Sequence, residues 1–110
     1  MIDWNRVNEL QDEVGIEDFR EVSAMFLEEV EDTMTRMIAV PDLSTLEEDM
    51  HFLKGSALNL GFEQFSTLCQ AGESAAGNGQ PETICLDDIF ESYASSKAAF
   101  IERLGSTKAA

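Results

Sequence analysis

The spacing of the apolar residues constrains this chain more than any other feature. Apolar residues recur at intervals of three and four along almost the whole length, and no useful stretch alternates between apolar and polar residues. Intervals of three and four place side chains on one face of an α-helix, whereas a half-buried strand needs a period of two. The sequence therefore predicts an all-α fold.

Glycines, prolines and possible helix caps divide this pattern into five segments. The first predicted helix is short and lies between Asp3 and Gly15. Longer helices are predicted over about 17–40, 44–60, 62–76 and 82–104, and Pro41 is the predicted end of the 17–40 helix. Five amphipathic segments joined by short turns are typical of a helical bundle. We expect an up-and-down four-helix bundle with an additional short N-terminal helix packed across one end.

The helix predicted over 44–60 carries the most informative stretch of the chain. A capping box of Ser44 and Glu47 is predicted to open it, and Gly61 is the predicted stop. The stripe predicted to face the core consists of Leu46, Met50, Leu53, Ala57 and Leu60. His51, the only histidine, lies about 140° from the centre of this stripe, so its imidazole is predicted to project into solvent.

The residues three and four positions from His51 lie beside it on the helix surface. On one side these are Glu47 and Glu48, and on the other they are Lys54 and Gly55. Lys54 is predicted to bring a flexible positive charge toward an anionic group on the ring, and Gly55 to leave a clearing. A glycine inside a helix costs about 0.5 to 1 kcal/mol relative to alanine. Close approach by another protein would account for it.

The residues alone leave two interpretations of this surface open. It is either ordinary helix surface, with Lys54 and Gly55 marking a helix end, or the face of a nucleophilic histidine. Histidine suits the second interpretation because its neutral imidazole is available near neutral pH. The apolar stripe continues in phase beyond Gly55, which argues against a helix end there. Leu58, one turn further on, would then add an apolar contact to the surface for a partner, beside Glu47 and Glu48.

The stretch from His51 to Gly61 resembles the signature of histidine-containing phosphotransfer (HPt) domains. Every signature position is filled in His51-x-Leu53-Lys54-Gly55-Ser56-Ala57-x-x-Leu60-Gly61. The length, the helical pattern and the mid-chain histidine also fit that family. The resemblance implies that a neutral nitrogen of His51, Nε2, takes a phosphoryl group from a receiver-domain aspartate and passes it to another. The chain would then be a relay intermediate in two-component signal transduction.

The resemblance also implies the partners and what each one contributes. Response-regulator receiver domains and a hybrid sensor histidine kinase are the expected partners, and Mg²⁺ is expected on the receiver. This chain is expected to bind no cofactor or metal and to act as a phosphocarrier rather than an enzyme. It contains no G-x-x-x-x-G-K-[ST] phosphate loop.

Glu73 marks a departure from the pattern of the resembled family. Family members often place a glutamine on the following helix, where it hydrogen-bonds the active histidine, and counting from the motif puts Glu73 at about that position. A carboxylate there could hold the Nδ1 proton and direct Nε2 outward, but it would also repel a phosphate. The alternative is that Glu73 is only solvated. Asn59 and Gln70 are further possible polar neighbours.

Composition narrows the classes of function. With 22 acidic and seven basic residues the formal net charge is −15, which repels nucleic acid and anionic membranes. The length indicates one domain over 1–110. No apolar run approaches the ~20 residues of a membrane span, and the polar start is no signal peptide. We therefore expect a cytoplasmic monomer, with Cys69 on a buried helix face and both it and Cys85 reduced.

Two alternatives to a relay intermediate remain. An HPt-like bundle could bind a receiver or a kinase as an adaptor without accepting phosphate, although the intact motif argues against this. The chain could also be an HPt module of a longer, chemotaxis-type histidine kinase, and a native terminus at Met1 would favour a separate protein instead. A metal-binding or hydrolytic bundle is disfavoured, because one histidine and two separated cysteines supply too few ligands.

Overall fold

The computed structural model describes residues 2–40 and 42–109, with side chains as far as Arg103. These residues form α-helices joined by short turns and contain no β-strand, which confirms the all-α prediction. The helices are α1 (Trp4–Val14), α2 (Ile16–Ala39), α3 (Leu46–Leu60), α4 (Glu63–Gly77) and α5 (Leu86–Ala109), with 3-10 turns at Leu43–Thr45 and Pro81–Thr83. Pro41, the predicted end of the second helix, and the side chain of Leu104 lie outside the described residues.

One hydrophobic core lies between α2, α3, α4 and α5. All five residues of the predicted α3 stripe are buried, at 4% exposure or less. Beside them the rings of Phe62, Phe65, Tyr93 and Phe100 pack with centroids 5.2–6.2 Å apart in tilted or edge-on arrangements. Such arrangements suit the aromatic quadrupole, and full burial of one large apolar side chain is worth about 1.5–3 kcal/mol. The core thereby holds the bundle together from the α3–α4 turn to α5.

The short helix α1 packs at the end of the bundle where α3 turns into α4. The side chain of Asp3 caps α1 by accepting hydrogen bonds from the amides of Asn5 and Arg6. The amide of Asp3 donates to the carbonyl of Gly61 at 2.6 Å. Gly61 has a φ of +76°, and a Cβ there would lie 2.6 Å from the Asp3 carbonyl oxygen. A glycine therefore both ends α3 and admits the close approach of α1.

The start of α3 differs from the prediction. The chain first forms a 3-10 turn, and the α-helix begins at Leu46 rather than at Ser44. The carboxylate of Asp42 accepts hydrogen bonds from the amide and the hydroxyl of Ser44, at 2.9 and 2.6 Å. Because Asp42 caps this turn and takes up the Ser44 hydroxyl, the predicted capping box of Ser44 and Glu47 is wrong.

Other differences concern the last helix and the membership of the core. The predicted start near residue 82 is wrong because Pro81–Thr83 forms a 3-10 turn and Ile84 is extended, so α5 begins at Leu86. Helical spacing also predicts Ile38 and Ile101 on the apolar faces of the second and last helices, but both are exposed, at 64% and 48%. Polar residues that the apolar pattern did not indicate are buried: Ser23, Ser92 and Ser96.

The two cysteines differ in their surroundings. Cys69 is buried on α4, as predicted, and Cys85 is exposed just before α5; both are free thiols. Burial raises the pKa of the Cys69 thiol to about 12, so it behaves as a small apolar side chain. Among the described helices, none combines the length and the apolar character that crossing a membrane requires.

Candidate functional site

The hairpin of α3 and α4 positions the candidate site. Met50 and Gly72 directly precede His51 and Glu73 in the sequence, and they pack against each other. A Cβ at Gly72 would lie 2.8 Å from the Met50 sulfur, so glycine permits the two helices to approach closely here. This contact sets the spacing of the helices at the level of His51 and Glu73.

His51 lies in the second turn of α3 and faces away from the core. Its side chain is 70% exposed, whereas neighbouring Met50 and Leu53 are fully buried. The predicted outward projection of the imidazole is therefore confirmed. Nδ1 lies 2.9 Å from Oε2 of Glu73, while Nε2 has no hydrogen-bond partner in the described part of the chain. One ring nitrogen is thus held and the other is accessible.

Glu73 on α4 contacts two residues of α3 at once. Its Oε2 faces the imidazole of His51, and its Oε1 lies 2.7 Å from Nζ of Lys54. Lys54, and to a lesser degree His51, hold the pKa of the Glu73 carboxyl below its ordinary value against the opposing effect of partial burial. An ionised carboxylate only accepts hydrogen bonds, so it favours a proton on Nδ1 of the ring. Glu73 is therefore more than a solvated side chain.

Lys54 reaches from α3 to α4, where its ammonium lies close to two side-chain oxygens. Besides its ion pair with Glu73, its ammonium donates to Oε1 of Gln70 at 2.9 Å, and Gln70 in turn donates to the hydroxyl of Ser74 at 3.2 Å. The Lys54 side chain is only 20% exposed. Its charge is thus directed at the Glu73 carboxylate. The sequence indicated Gln70 only as a possible neighbour of the histidine, and it did not indicate Ser74.

Gly55 leaves space on the exposed side of α3. Apart from the adjacent part of its own helix, a Cβ built there would meet no described atom within 4 Å, so packing against other parts of the chain does not require this glycine. The apolar side chains of Leu58 and Phe52 are 57% and 40% exposed on the same helix. Phe52 was not predicted as part of the surface, although its helical position relative to His51 could have indicated it.

The remaining predicted residues take different positions. Glu47 and Glu48 are exposed in the first turn of α3. The carboxylate of Glu47 lies close to Gly77 at the end of α4, because a Cβ built on Gly77 would be 2.7 Å from it. Asn59 makes its contacts elsewhere than at His51. Its side chain donates to the Gly55 carbonyl at 3.1 Å and accepts from Arg6 at 3.2 Å, which ties α3 to α1.

Comparison with protein families identifies the hairpin and its surroundings. The family model described as Hpt domain matches residues 21–104, a range that contains α3, α4 and every residue of the candidate site. The chain belongs to the Hpt domain family. Comparisons with curated proteins and with solved structures gave no significant match.

Membership confirms the resemblance seen in the sequence and defines a general role. Hpt domains are histidine-containing phosphotransfer modules of two-component signalling, and they interact with receiver domains and kinases in phosphorelays. They are phosphocarriers rather than kinases. The matched range begins within α2, so α1 lies outside it. The contacts of α1 with Gly61 and Asn59 nevertheless support the helix that carries His51 in this Hpt domain.

Proposed function

We propose that this Hpt domain is a phosphorelay intermediate that accepts a phosphoryl group on His51 and passes it between receiver-domain aspartates. The observation that carries the proposal is the exposed imidazole whose Nδ1 faces the Glu73 carboxylate at 2.9 Å. With the proton kept on Nδ1, Nε2 retains its lone pair. That lone pair is the nucleophile that phosphoryl acceptance needs.

The transfer exchanges one bond to phosphorus for another. The Nε2 lone pair attacks the phosphorus of an aspartyl phosphate, and an N–P bond forms while the P–O bond to the aspartate breaks. The electron pair of the broken bond leaves with the aspartate carboxylate. The imidazole keeps its Nδ1 proton and becomes cationic, and the Glu73 carboxylate stabilises that charge. The reverse sequence delivers the phosphoryl group to the next aspartate.

Positioning and charge neutralisation contribute most to such transfers. We propose that the receiver supplies Mg²⁺ and that the positive charge of Lys54 lowers the repulsion that the phosphoryl group meets beside His51. Gly55 leaves clearance for the docking receiver, and Leu58 offers apolar surface to it. Glu47 and Glu48 flank His51 and can meet basic side chains of the partner, which favours encounter in the correct orientation. The partners are response-regulator receivers and a hybrid sensor histidine kinase, each engaging one copy of this chain.

The direct test is phosphoryl transfer from a receiver domain. A purified receiver is phosphorylated with acetyl phosphate and Mg²⁺, freed of the donor, and mixed with this chain. We expect an acid-labile, alkali-stable phosphoryl group on His51 and none in His51→Gln. Thr35→Gln, which changes an exposed residue of α2, is the control and is expected to transfer as the wild type does.

Three outcomes would contradict the proposal. Binding without transfer across a panel of phosphorylated receivers would favour an adaptor. Phosphorylation from ATP by a chemotaxis-type kinase catalytic domain, with no exchange with receivers, would favour a module of such a kinase. Retention of the label by His51→Gln would exclude His51 as the acceptor.

The clearance at Gly55 has a test of its own. Gly55→Leu is expected to slow transfer from the receiver by about tenfold to a hundredfold, since small displacements of reacting groups cost that much. Stopped-flow or quenched-flow transfer assays measure the rate. Ser95→Leu on the exposed side of α5 is the control for an added leucine. An unchanged rate in Gly55→Leu would remove this glycine from the docking surface.

A further inference from the structure

We propose that Lys54 promotes transfer chiefly by neutralising Glu73, so that removing Lys54 alone slows the reaction more than removing both charges. The inference rests on the proposed role of His51 and deepens it. It makes Lys54 and Glu73 one functional unit in which the lysine acts through the carboxylate. Both are then positioning residues around the imidazole.

The contacts of Lys54 support this assignment. Its ammonium lies 2.7 Å from Oε1 of Glu73 and 2.9 Å from Oε1 of Gln70. Both of these side chains belong to α4, and the lysine is 20% exposed where the imidazole is 70% exposed. The ammonium is therefore held on the α4 side of the ring by two partners. A lysine positioned to contact the phosphoryl group directly would instead extend into the solvent beside His51.

A carboxylate next to the imidazole has two opposing effects on phosphoryl transfer. It stabilises the Nδ1 proton and the cationic ring, and it repels the phosphoryl group that arrives at Nε2. The phosphoryl group lies farther from the carboxylate than the ring does, but it carries a larger charge. Its repulsion by an unpaired carboxylate would therefore offset much of the stabilisation that the carboxylate gives to the cationic ring. The net charge of −15 adds to the repulsion of an incoming anion.

The ion pair separates these two effects. Oε1 of Glu73 is neutralised by Lys54, while Oε2 still faces Nδ1 of His51. The phosphoryl group then meets a nearly neutral pair instead of a negative charge. Without Lys54 the Glu73 carboxylate repels the phosphoryl group. When both Lys54 and Glu73 lose their charges, this repulsion is removed.

The experiment compares the wild type with Lys54→Met, Glu73→Gln and the double variant. Each is phosphorylated by a receiver and, independently of docking, by phosphoramidate. In the second reaction the N–P bond to His51 forms while the donor's P–N bond breaks, and its protonated nitrogen leaves as ammonia. We expect Lys54→Met to be about tenfold slower than the wild type, as one uncompensated charge near a dianion predicts in water. The double variant should be several-fold faster than Lys54→Met with both donors.

A second lysine–glutamate pair provides matched controls. Lys97 and Glu31 are joined at 2.6 Å between α5 and α2, and neither helix carries a residue of the site. Lys97→Met and Glu31→Gln change the net charge by the same amounts and are expected to leave the rates unchanged. Circular dichroism establishes that every variant is folded at the assay temperature.

The outcomes separate this inference from the proposed function. A double variant as slow as Lys54→Met, or slower, would show that the lysine acts on the phosphoryl group directly and would overturn the inference. ¹⁵N spectra of His51 that lose the Nδ1–H tautomer in Lys54→Met would also overturn it, because the lysine would then only place Glu73. A wild type that accepts no phosphoryl group from either donor would overturn both the inference and the proposed function.

Discussion

Two groups of side chains in this molecule share one design, and only one of them presents its ring to solvent. In the first, Glu31 on α2 accepts a hydrogen bond from the hydroxyl of Tyr93 at 2.7 Å and pairs with Lys97 at 2.6 Å. The tyrosine is 4% exposed and packs against Phe62 and Phe65. Burial, together with Glu31, raises the pKa of the Tyr93 phenol well above its usual range. The phenol remains protonated and serves packing.

In the second group, Glu73 joins Lys54 to the ring of His51 across α3 and α4. Here the arrangement is inverted. The lysine and the carboxylate are each 20% exposed and the ring is 70% exposed, whereas Lys97 and Glu31 are 33% and 43% exposed around a buried ring. The comparison teaches that a carboxylate–lysine pair does not make a site by itself. The two groups differ in the exposure of the ring, which is 70% for His51 and 4% for Tyr93.

Replacing the two rings should break the comparison most clearly, beginning with His51. His51→Gln is expected to abolish phosphoryl acceptance while changing the free energy of unfolding by less than about 0.5 kcal/mol, because an exposed ring contributes little to the core. Urea unfolding and the receiver assay measure the two quantities. Loss of helicity in His51→Gln would contradict the exposed position of the ring.

Tyr93 should show the reverse behaviour. Tyr93→Ala is expected to lower the free energy of unfolding by about 3 to 5 kcal/mol, the usual cost of deleting a buried aromatic ring, and to leave the transfer rate of the folded protein unchanged. Tyr93→Phe keeps the ring and removes only the hydrogen bond of the hydroxyl, so its free energy of unfolding should fall by only about 1 kcal/mol. Urea unfolding measures both variants. A Tyr93→Ala variant as stable as Tyr93→Phe would contradict the structural role of the ring.

The glycines near the site sharpen the contrast between exposed and buried positions at a smaller scale. Gly55→Ala is expected to stabilise the protein by about 0.5–1 kcal/mol, because the added Cβ meets no described atom within 4 Å apart from the adjacent part of its own helix. Gly72→Ala is the matched variant and should destabilise, since its Cβ would lie 2.8 Å from the Met50 sulfur. Thermal unfolding compares them. Equal effects of the two substitutions would contradict the difference in packing.

The smallest expected effect is on pH dependence, and it should be common to both groups. Lys97 and Lys54 are the main causes that lower the pKa of Glu31 and of Glu73 below the ordinary value of 4.5. A carboxyl with a depressed pKa in the folded state contributes stability above its unfolded pKa and loses it as the pH falls through the folded pKa. The stability difference between the wild type and Glu31→Gln or Glu73→Gln should therefore shrink below about pH 4.5. Urea unfolding from pH 7 to 3 measures it, and a widening gap would contradict the sign.

Helix number and burial were largely predictable from the sequence because they depend on local periodicity. The stripe of α3 and the outward position of His51 follow from a rotation of about 100° per residue and the burial of one face. The predicted starts of α3 and α5 were wrong because a 3-10 turn forms in front of each helix. Asp42 caps a 3-10 turn, and another begins at Pro81. Periodicity cannot detect such competition at helix ends.

The sequence by itself determined an all-α chain, an exposed His51 and, through the signature around it, the family of the protein. Only the tertiary structure decided that the ammonium of Lys54 is directed at Glu73, and that Glu73 meets a histidine 22 residues away at 2.9 Å. Counting from the motif indicated the position of Glu73 but not its contacts. Those depend on the distance and rotation between α3 and α4, which the packing of Met50 against Gly72 sets. Contacts between helices arise from the shapes of both surfaces together, and the period of one helix does not contain them.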